Sequence, residues 1–369
     1  MIRVLHIIQQ LGPGRGGVRT FVSTMLDCPA PDIEQSVLSV GRVEGDRFGE
    51  RFFGPLIDSY SPLLVGTLGA KRLGAFLSKH RFDIVQIHTN NALGFVFASE
   101  AKKAGVPSRI VHCHNSALGS TSRLKNMVNV AMIERFLPSA SERWACSEVA
   151  GEYLFQGAGY AMVHNGVDSD KFRFSSSDRA AVRHRLGIPG NATVIGFVGA
   201  GIPAKNTLRA LDIFNQLRSS EADSRLLLFG QAEELPLAKE KAAKLGLSES
   251  AVFIGTVDDI WRYYSAMDAL LAPSFHEGLP IAFIEAQANG LPILSSDAVT
   301  QEADLTGLLK RAALSLSDKE WADLLVTCAG KRELTAEADY VPFLDKAGYT
   351  TRSLYEQLSD RYRNMTKGA

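Results

Sequence analysis

Residues 274–292 read Ser274-Phe-His-Glu-Gly-Leu-Pro-Ile-Ala-Phe-Ile-Glu-Ala-Gln-Ala-Asn-Gly-Leu-Pro292. The punctuation of this stretch predicts a turn followed by a helix. Gly278 permits a close backbone approach, Pro280 suits a first helical turn, and Gly290 with Pro292 marks the stop. Just upstream, Ala269-Leu-Leu-Ala272 reads as a short buried strand. A strand, a glycine turn and a helix N-terminus together form an anion site, because free backbone N–H groups and the helix dipole point at the turn. Glu277 and Glu285 stand eight positions apart around that helix start. Glu285, about a turn and a half into the helix, reaches a polar group beside the anion. A nucleotide-sugar fits, with its diphosphate at the helix end and hydroxyls on the carboxylates. The blander alternative, two glutamates on a solvated helix face, leaves the surrounding Gly/Pro framework unexplained.

Outward from this segment, short apolar runs alternate with longer amphipathic ones. Strands are predicted over Arg3–Ile8, Gln35–Val40, Ile84–His88, Arg109–His112, Arg143–Cys146, Thr193–Val198, Arg225–Phe229 and Ala269–Ala272. Helices are predicted between most of them, over Gly17–Asp27, Leu93–Ala104, Leu208–Ser219 and Leu235–Leu245. Such alternation implies parallel sheets covered on both faces. A break at about 165–192 separates two such series. The expected fold class is therefore α/β, with two doubly wound Rossmann-like domains facing across a cleft, residues 1–168 and 169–347. Ligands in open parallel sheets sit beyond the carboxyl ends of the strands. An amphipathic tail, Ala347–Arg363, with Tyr349, Leu354 and Leu358 on one stripe, reads as a closing helix; periodicity does not say which domain it joins.

The chain has 369 residues, 46% apolar and 22% charged, with zero formal net charge. That length supports two cores, and the neutral balance argues against a dedicated nucleic-acid binder. Cys28, Cys113, Cys146 and Cys328 show no C-x-x-C spacing, so neither zinc nor a disulfide framework is implied, and they fit a reducing cytoplasm. Met1-Ile-Arg-Val-Leu-His-Ile-Ile8 reads as a strand rather than a signal peptide. No window reaches the roughly 20 apolar residues that span a bilayer.

Gly12-Pro-Gly-Arg-Gly-Gly17 satisfies G-x-G-x-x-G after a strand and before a helix. Pro13 removes an amide donor from that turn, and Val40-Gly41-Arg42 stands where a ribose-binding acid would end the second strand. A flexible glycine loop approaching a substrate or phosphate fits better than a dinucleotide site; an ordinary turn is the remaining alternative. Phe197-Val-Gly-Ala-Gly-Ile-Pro-Ala-Lys-Asn206 follows the first strand of the second domain. Lys205 at its far end can place an ammonium against a diphosphate. His112 and His114 share one face of a strand. With no third ligand evident nearby, a cleft histidine bonding substrate fits His114 better than a metal site does, and a satisfied core histidine is the alternative. His88 reads as structural.

Charge is uneven in the first domain. Lys102, Lys103, Arg109, Arg123, Lys125 and Arg135 face only Glu134 over residues 101–135. The segment Ser122–Leu137 also carries Leu124, Met127, Val128, Met132, Ile133 and Phe136. A basic amphipathic helix of this kind lies on an anionic membrane surface, unless it is an ordinary helix with solvated charges.

These residues resemble the retaining glycosyltransferases of family 4, which have the GT-B fold, over nearly the whole chain. The most specific signature is Glu277-x7-Glu285 within Pro-Ser-x-x-Glu-Gly-Leu-Pro…Glu-Ala-Gln-Ala-x-Gly-Leu-Pro. Around it stand Val163-His-Asn-Gly-Val-Asp168 with Phe172, Phe253-Ile-Gly255 and Ala266-Met-Asp268. Ala145-Cys-Ser147, Arg109-Ile-Val-His-Cys-His-Asn115 and the stretch from Ser296-Asp297 to Glu302 are similar to bacterial capsular and exopolysaccharide glycosyltransferases.

The resemblance implies transfer of a sugar from a nucleotide diphosphate, most often UDP, to a hydroxyl of a glycan or lipid-linked acceptor in cell-surface polysaccharide synthesis. It implies retention of configuration. With Lys205 and the helix start placed to do what a cation does elsewhere, no metal or other cofactor is expected, and the cysteines with the basic segment 101–137 point to a cytoplasmic location, peripheral on the inner membrane face. Glu285 binds the ribose. Glu277, with Gly278, Leu279 and Pro280, holds the donor sugar and phosphates, and Lys205 neutralises the diphosphate. Gly199, Gly255 and Val257 complete the donor set. Gly16 and Gly17, with Arg19 beside them, form a loop over donor and acceptor, and His114 contacts the transferred sugar. The tail helix, 348–369, crosses back to the first domain.

Three positions depart from the family. Gly199-Ala200 replaces the usual Gly-Arg, Arg19 stands where many relatives have an acid, and Gln231 replaces a glycine or aspartate. One cation–phosphate contact contributes about 1.5–3 kcal/mol. Its loss at Ala200, unless Arg19 substitutes, keeps open a catalytically weak or silent GT-B subunit that binds a partner. A glycoside hydrolase using the two glutamates, and a nucleotide-sugar epimerase, are lesser alternatives.

Overall fold

The computed structural model describes residues 1–9, 17–43, 48–114, 123–199, 201–277, 279–335 and 338–367. The chain forms two compact units. Met1–Gly166 and Thr351–Ala369 make the first; Val167–Thr350 makes the second.

The first unit holds a seven-stranded sheet in the order β3-β2-β1-β4-β5-β6-β7. Its strands are β1 (Ile2–Ile8), β2 (Ile33–Ser39), β3 (Phe52–Phe53), β4 (Ile84–Thr89), β5 (Ser108–Cys113), β6 (Glu142–Ala145) and β7 (Ala161–Met162), all paired in parallel. The central strands are buried along nearly their whole length, polar residues included, because helices cover both faces. On one face Leu73, Phe95, Phe97, Leu154 and Phe155 pack on the sheet. On the other, Phe21, Val22 and Met25 pack with Leu354, Leu358 and Tyr362 of the closing helix Thr351–Lys367. That helix is fastened by Tyr362, whose hydroxyl donates to Gln86 Oε1, and by an Arg363–Asp32 ion pair at 2.8 Å.

The second unit repeats the plan with six parallel strands in the order β10-β9-β8-β11-β12-β13. They are β8 (Val194–Val198), β9 (Arg225–Phe229), β10 (Ala251–Gly255), β11 (Ala269–Ala272), β12 (Ile293–Ser296) and β13 (Leu309–Ala312). One face is closed by Phe214, Leu217, Trp321 and Leu325, the other by Tyr264, Phe283 and Ile284.

The order within each unit is that of a Rossmann-like doubly wound sheet. Strands β3, β7, β10, β12 and β13 lie beyond the eight read from sequence. Two-residue edge strands have no period to detect, and Ile-Leu-Ser-Ser and Leu-Lys-Arg-Ala carry too little apolar signal. The expected boundary at 168/169 moves to 166/167. Val167 N–H donates to Tyr349 O at 2.8 Å and bridges Thr350, which ties both residues to the second unit. The tail stripe also divides: Tyr349 precedes the helix and is buried in the second unit, whereas Leu354 and Leu358 are buried in the first.

Asp268, at the entry to β11, accepts from Arg179 at 2.6 Å, from Arg183 at 2.8 Å and from the Val194 amide at 2.7 Å. Burial depresses the Arg183 pKa, and the charge of Asp268 opposes that shift. Removing one partner of a buried ionic group leaves the others uncompensated, at a cost of about 3–5 kcal/mol. Asp268→Ala is therefore expected to destabilise the second unit by about 3 kcal/mol or more. Hydrogen exchange of the β8 amides measures this, and unchanged protection would contradict it.

Candidate active site

The strand order of the second unit reverses between β8 and β11, and the two strands pair directly. Their carboxyl ends lead into loops 199–206 and 273–280. Three contacts lock the loops together. Asn206 Nδ2 donates to Pro273 O at 3.1 Å, Phe275 N donates to Ala204 O at 2.8 Å, and the Lys205 ammonium pairs with the Glu277 carboxylate. Ser274 Oγ donates to the same carboxylate at 2.5 Å. Ser296, at the end of β12, donates through its hydroxyl to Ser274 O at 2.6 Å. Only 7% of the Glu277 side chain and 23% of Lys205 are exposed, so the pair is partly shielded from water.

Local backbone explains the lysine's position. Pro203–Lys205 is one 3-10 turn, and Asn206 takes a left-handed conformation (φ 60°) before the helix Thr207–Arg218. Gly199 has φ +100°, and a Cβ there would lie 2.9 Å from Lys205 Cγ. A glycine is thus required twice over, for its torsion and for the lysine stem that crosses it.

The helix after the second loop spans Ile281–Ala288, and Pro280 at its N-cap supplies no side-chain hydrogen bond to the first turn. Glu285 is the fifth residue of that helix and accepts from the Tyr264 hydroxyl at 2.9 Å. Tyr264 is fully buried; burial first, and the Glu285 charge second, hold its pKa well above the usual phenol value. Leu279 is half-buried against the core, Pro280 is buried, and Val257 packs against the same core as Leu279. Gly255 ends β10 with φ +82° and accepts from Gly230 N at 3.0 Å. Gly278, Ala200 and Gly16 lie outside the described residues. Tyr264, Asn206 and Ser274 were not singled out by sequence reasoning, since the contacts that make them matter join residues up to 67 positions apart.

In the first unit, Gly17 opens the helix Gly17–Leu26, and Arg19 in its first turn is 6% exposed. His114 follows β5. Its Nε2 lies 2.8 Å from His88 Nδ1, and its Nδ1 lies 3.2 Å from Asn165 Oδ1. His88 also reaches His6 at 3.1 Å, so it is a link in a chain rather than an isolated structural residue. His112 accepts from Gln86 at 2.9 Å. Phe21 lies with its ring centroid 5.0 Å from those of both His112 and His114. A third histidine does therefore join the pair from β5, since ligating atoms of His88, His112 and His114 lie within 4.8 Å of one another. Among the described residues, no carboxylate belongs to that group.

A family model described as Glycosyltransferase Family 4 matches residues 15–171, and one described as Glycosyl transferases group 1 matches 178–323. The chain belongs to the family 4-like glycosyltransferases of the GT-B fold. It is 28% identical to EpsF of Bacillus subtilis (strain 168), described as a glycosyltransferase, across 99% of this chain and 97% of EpsF. Its identity is 27% to the UDP-Gal:alpha-D-GlcNAc-diphosphoundecaprenol alpha-1,3-galactosyltransferase of Escherichia coli, over 67% of this chain and 66% of that enzyme. Among solved structures, HepE of Anabaena in complex with UDP-glucose superposes with a TM-score of 0.76, covering 99% and 100% of the two chains at 20% identity. Among the described residues of this glycosyltransferase, no helix is long and apolar enough to cross a membrane.

Burial, opposed by hydrogen bonds to Gln35 and Asn165 respectively, lowers the pKa of His6 and of His114 to about 4. Burial also holds His88 and His112 well below the ordinary value. The unfolded chain takes up these protons near pH 6.5 and the folded unit does not, so folding loses stability as pH falls from about 6.5 towards 4. Each such histidine contributes a slope of up to about 1.4 kcal/mol per pH unit. Thermal unfolding of the glycosyltransferase should show a falling midpoint below pH 6.5, and a weaker fall in His6→Gln. A flat profile to pH 4.5 would contradict this burial.

Proposed function

We propose that this glycosyltransferase transfers a sugar from a nucleotide diphosphate, UDP by preference, to a hydroxyl of a glycan or lipid-linked acceptor with retained anomeric configuration. The observation that carries the reading is the Lys205–Glu277 pair at the carboxyl ends of β8 and β11, beside an uncapped helix start that carries Glu285. The UDP and UDP-glucose of the HepE complexes add support for the donor, and the names of the galactosyltransferase and EpsF relatives favour an acceptor in cell-surface polysaccharide synthesis.

On this reading the diphosphate occupies the helix start, where partial positive charge and unpaired amides stabilise the leaving group. Lys205 moves part of its interaction from Glu277 to the phosphates. Glu277, held by Ser274, then accepts from donor-sugar hydroxyls, and Glu285, oriented by Tyr264, accepts from the ribose. Gly199, Leu279, Pro280, Gly255 and Val257 shape the walls, with Gly278 in the turn. Gly17 and Arg19 stand at the start of the helix Gly17–Leu26 and His114 follows β5; we assign these first-unit residues, with Gly16, to substrate on the strength of the family resemblance. The acceptor hydroxyl attacks the anomeric carbon on the face the diphosphate leaves, its proton passing to the departing phosphate oxygen. A lysine and a helix N-terminus do the work of a metal, so none is required.

Incubation with UDP-sugars and lipid-linked glycans, with UDP release and product stereochemistry read by NMR, tests this. UDP release with retention is expected. Sugar release from an oligosaccharide without nucleotide would instead support a hydrolase, and absence of any nucleotide binding a silent subunit. Lys205→Met should lower kcat/KM by about 10- to 100-fold, the loss of one charge-assisted contact. Glu285→Ala should mainly weaken donor binding, and Glu277→Ala should mainly lower kcat.

A peripheral place on an anionic membrane is also proposed. On the helix Arg123–Phe136, Leu124 is 71% and Met127 69% exposed, beside Arg123 and Lys125. Flotation with anionic liposomes at low salt should carry the native protein and lose Leu124→Asp/Met127→Asp; no flotation of the native chain would contradict it.

A further inference from the structure

Asn206 stands between a 3-10 turn and the helix Thr207–Arg218, with φ 60° and ψ 51°. Among the described residues it is one of two non-glycine residues with a positive φ. Asparagine tolerates this left-handed backbone better than most side chains do. It is also a favoured residue ahead of a helix, where its side chain ordinarily accepts from an amide of the first turn. Here it does not. The helix begins with no side-chain cap, and the Asn206 amide turns the other way, donating from Nδ2 to Pro273 O at 3.1 Å. A carbonyl only accepts, so this contact fixes which end of the amide faces Pro273. Asn206 is 9% exposed and Pro273 is buried, so the bond is shielded from water.

The two residues joined in this way adjoin the two sides of the ion pair. Asn206 follows Lys205, whereas Pro273 precedes Ser274, whose hydroxyl donates to Glu277. Each loop is also braced on its own side. Gly201 N donates to Thr207 Oγ1 at 3.0 Å in the first loop, and Ser296 Oγ donates to Ser274 O at 2.6 Å in the second. Between the loops, the backbone bond from Phe275 N to Ala204 O involves a residue that is 59% exposed, and Asn206 supplies the buried bond. Lysine needs such help, because its ammonium rides on a flexible four-carbon stem. A left-handed residue that leaves its own helix uncapped in order to reach a second loop is placed for the site rather than for the helix.

We infer that Asn206 is a positioning residue: its bond to Pro273 sets the spacing of the loops after β8 and β11, and so holds the Lys205 ammonium where it meets both Glu277 and the diphosphate of a nucleotide donor. The diphosphate in this statement rests on the donor reading above; the hold on Lys205 does not.

Calorimetric titration of the full chain with UDP tests the inference through a double-mutant cycle. Asn206→Gly keeps the torsion and removes the amide, and should weaken UDP about tenfold, the effect of one lost hydrogen bond. Added to Lys205→Met, the same change should weaken UDP less than about twofold further, because Asn206 acts through the lysine. Native affinity in Asn206→Gly would overturn the inference. So would a full further tenfold loss in the Lys205→Met background, which is what a merely structural role gives. If Asn206→Gly does not fold, Asn206→Asp takes its place, since aspartate also tolerates the left-handed backbone and its carboxylate cannot donate to Pro273. The second readout needs no ligand. The 15N resonance of the Lys205 ammonium, assigned by its loss in Lys205→Met, should move towards the position of solvated lysines when Asn206 is replaced; an unmoved resonance would contradict the hold on Lys205. If the native protein does not bind UDP, the donor reading fails, and the ammonium resonance still decides whether Asn206 positions the lysine.

Discussion

The second unit depends on one constraint: β8 and β11 are neighbours although 70 residues lie between their ends and starts. Parallel pairing brings two carboxyl-terminal loops side by side, and the reversal of strand order leaves room between them for a ligand. The contacts between the two loops follow from that adjacency. Asn206 reaches Pro273, Phe275 reaches Ala204, and Lys205 finds Glu277. The ion pair is partly shielded, so neither partner is lightly removed, yet Lys205 keeps enough exposure to meet an anion. Each partner compensates the other's partly buried charge.

The first unit uses burial differently. It places four imidazoles, two glutamine amides and a tyrosine hydroxyl between the sheet and the helices Gly17–Leu26 and Thr351–Lys367. Such a network is tolerable only where donors and acceptors match along its length. Burial, which lowers the pKa of all four histidines, favours their neutral form there. The closing helix takes part, because the Tyr362 hydroxyl fixes Gln86 and Gln86 in turn fixes His112. Joining the tail to the first unit therefore serves the interior as much as the surface.

The fold was largely legible because its central strands are short, mostly apolar segments between amphipathic ones, most plainly in the second unit. Arg225–Phe229 and Ala269–Ala272 have the boundaries their composition predicts. Edge strands such as Phe52–Phe53 were not legible, since two residues carry no period. Glu277, Glu285 and Lys205 stood out through spacing and punctuation. Tyr264, which orients Glu285, did not, because nothing local links positions 264 and 285. His88 was read as a structural residue; only the pairing of β1, β4 and β5 puts it between His6 and His114. The boundary shift at Val167 has the same cause, a bond to Tyr349 across 182 residues that no window contains.

The loops after β8 and β11 form the proposed nucleotide-diphosphate site. Hydrogen–deuterium exchange of the full chain with and without saturating UDP tests this most directly. Increased protection concentrated in peptides spanning 201–207 and 279–286 is the predicted result. Protection confined to the first unit, or none in either loop, would contradict it.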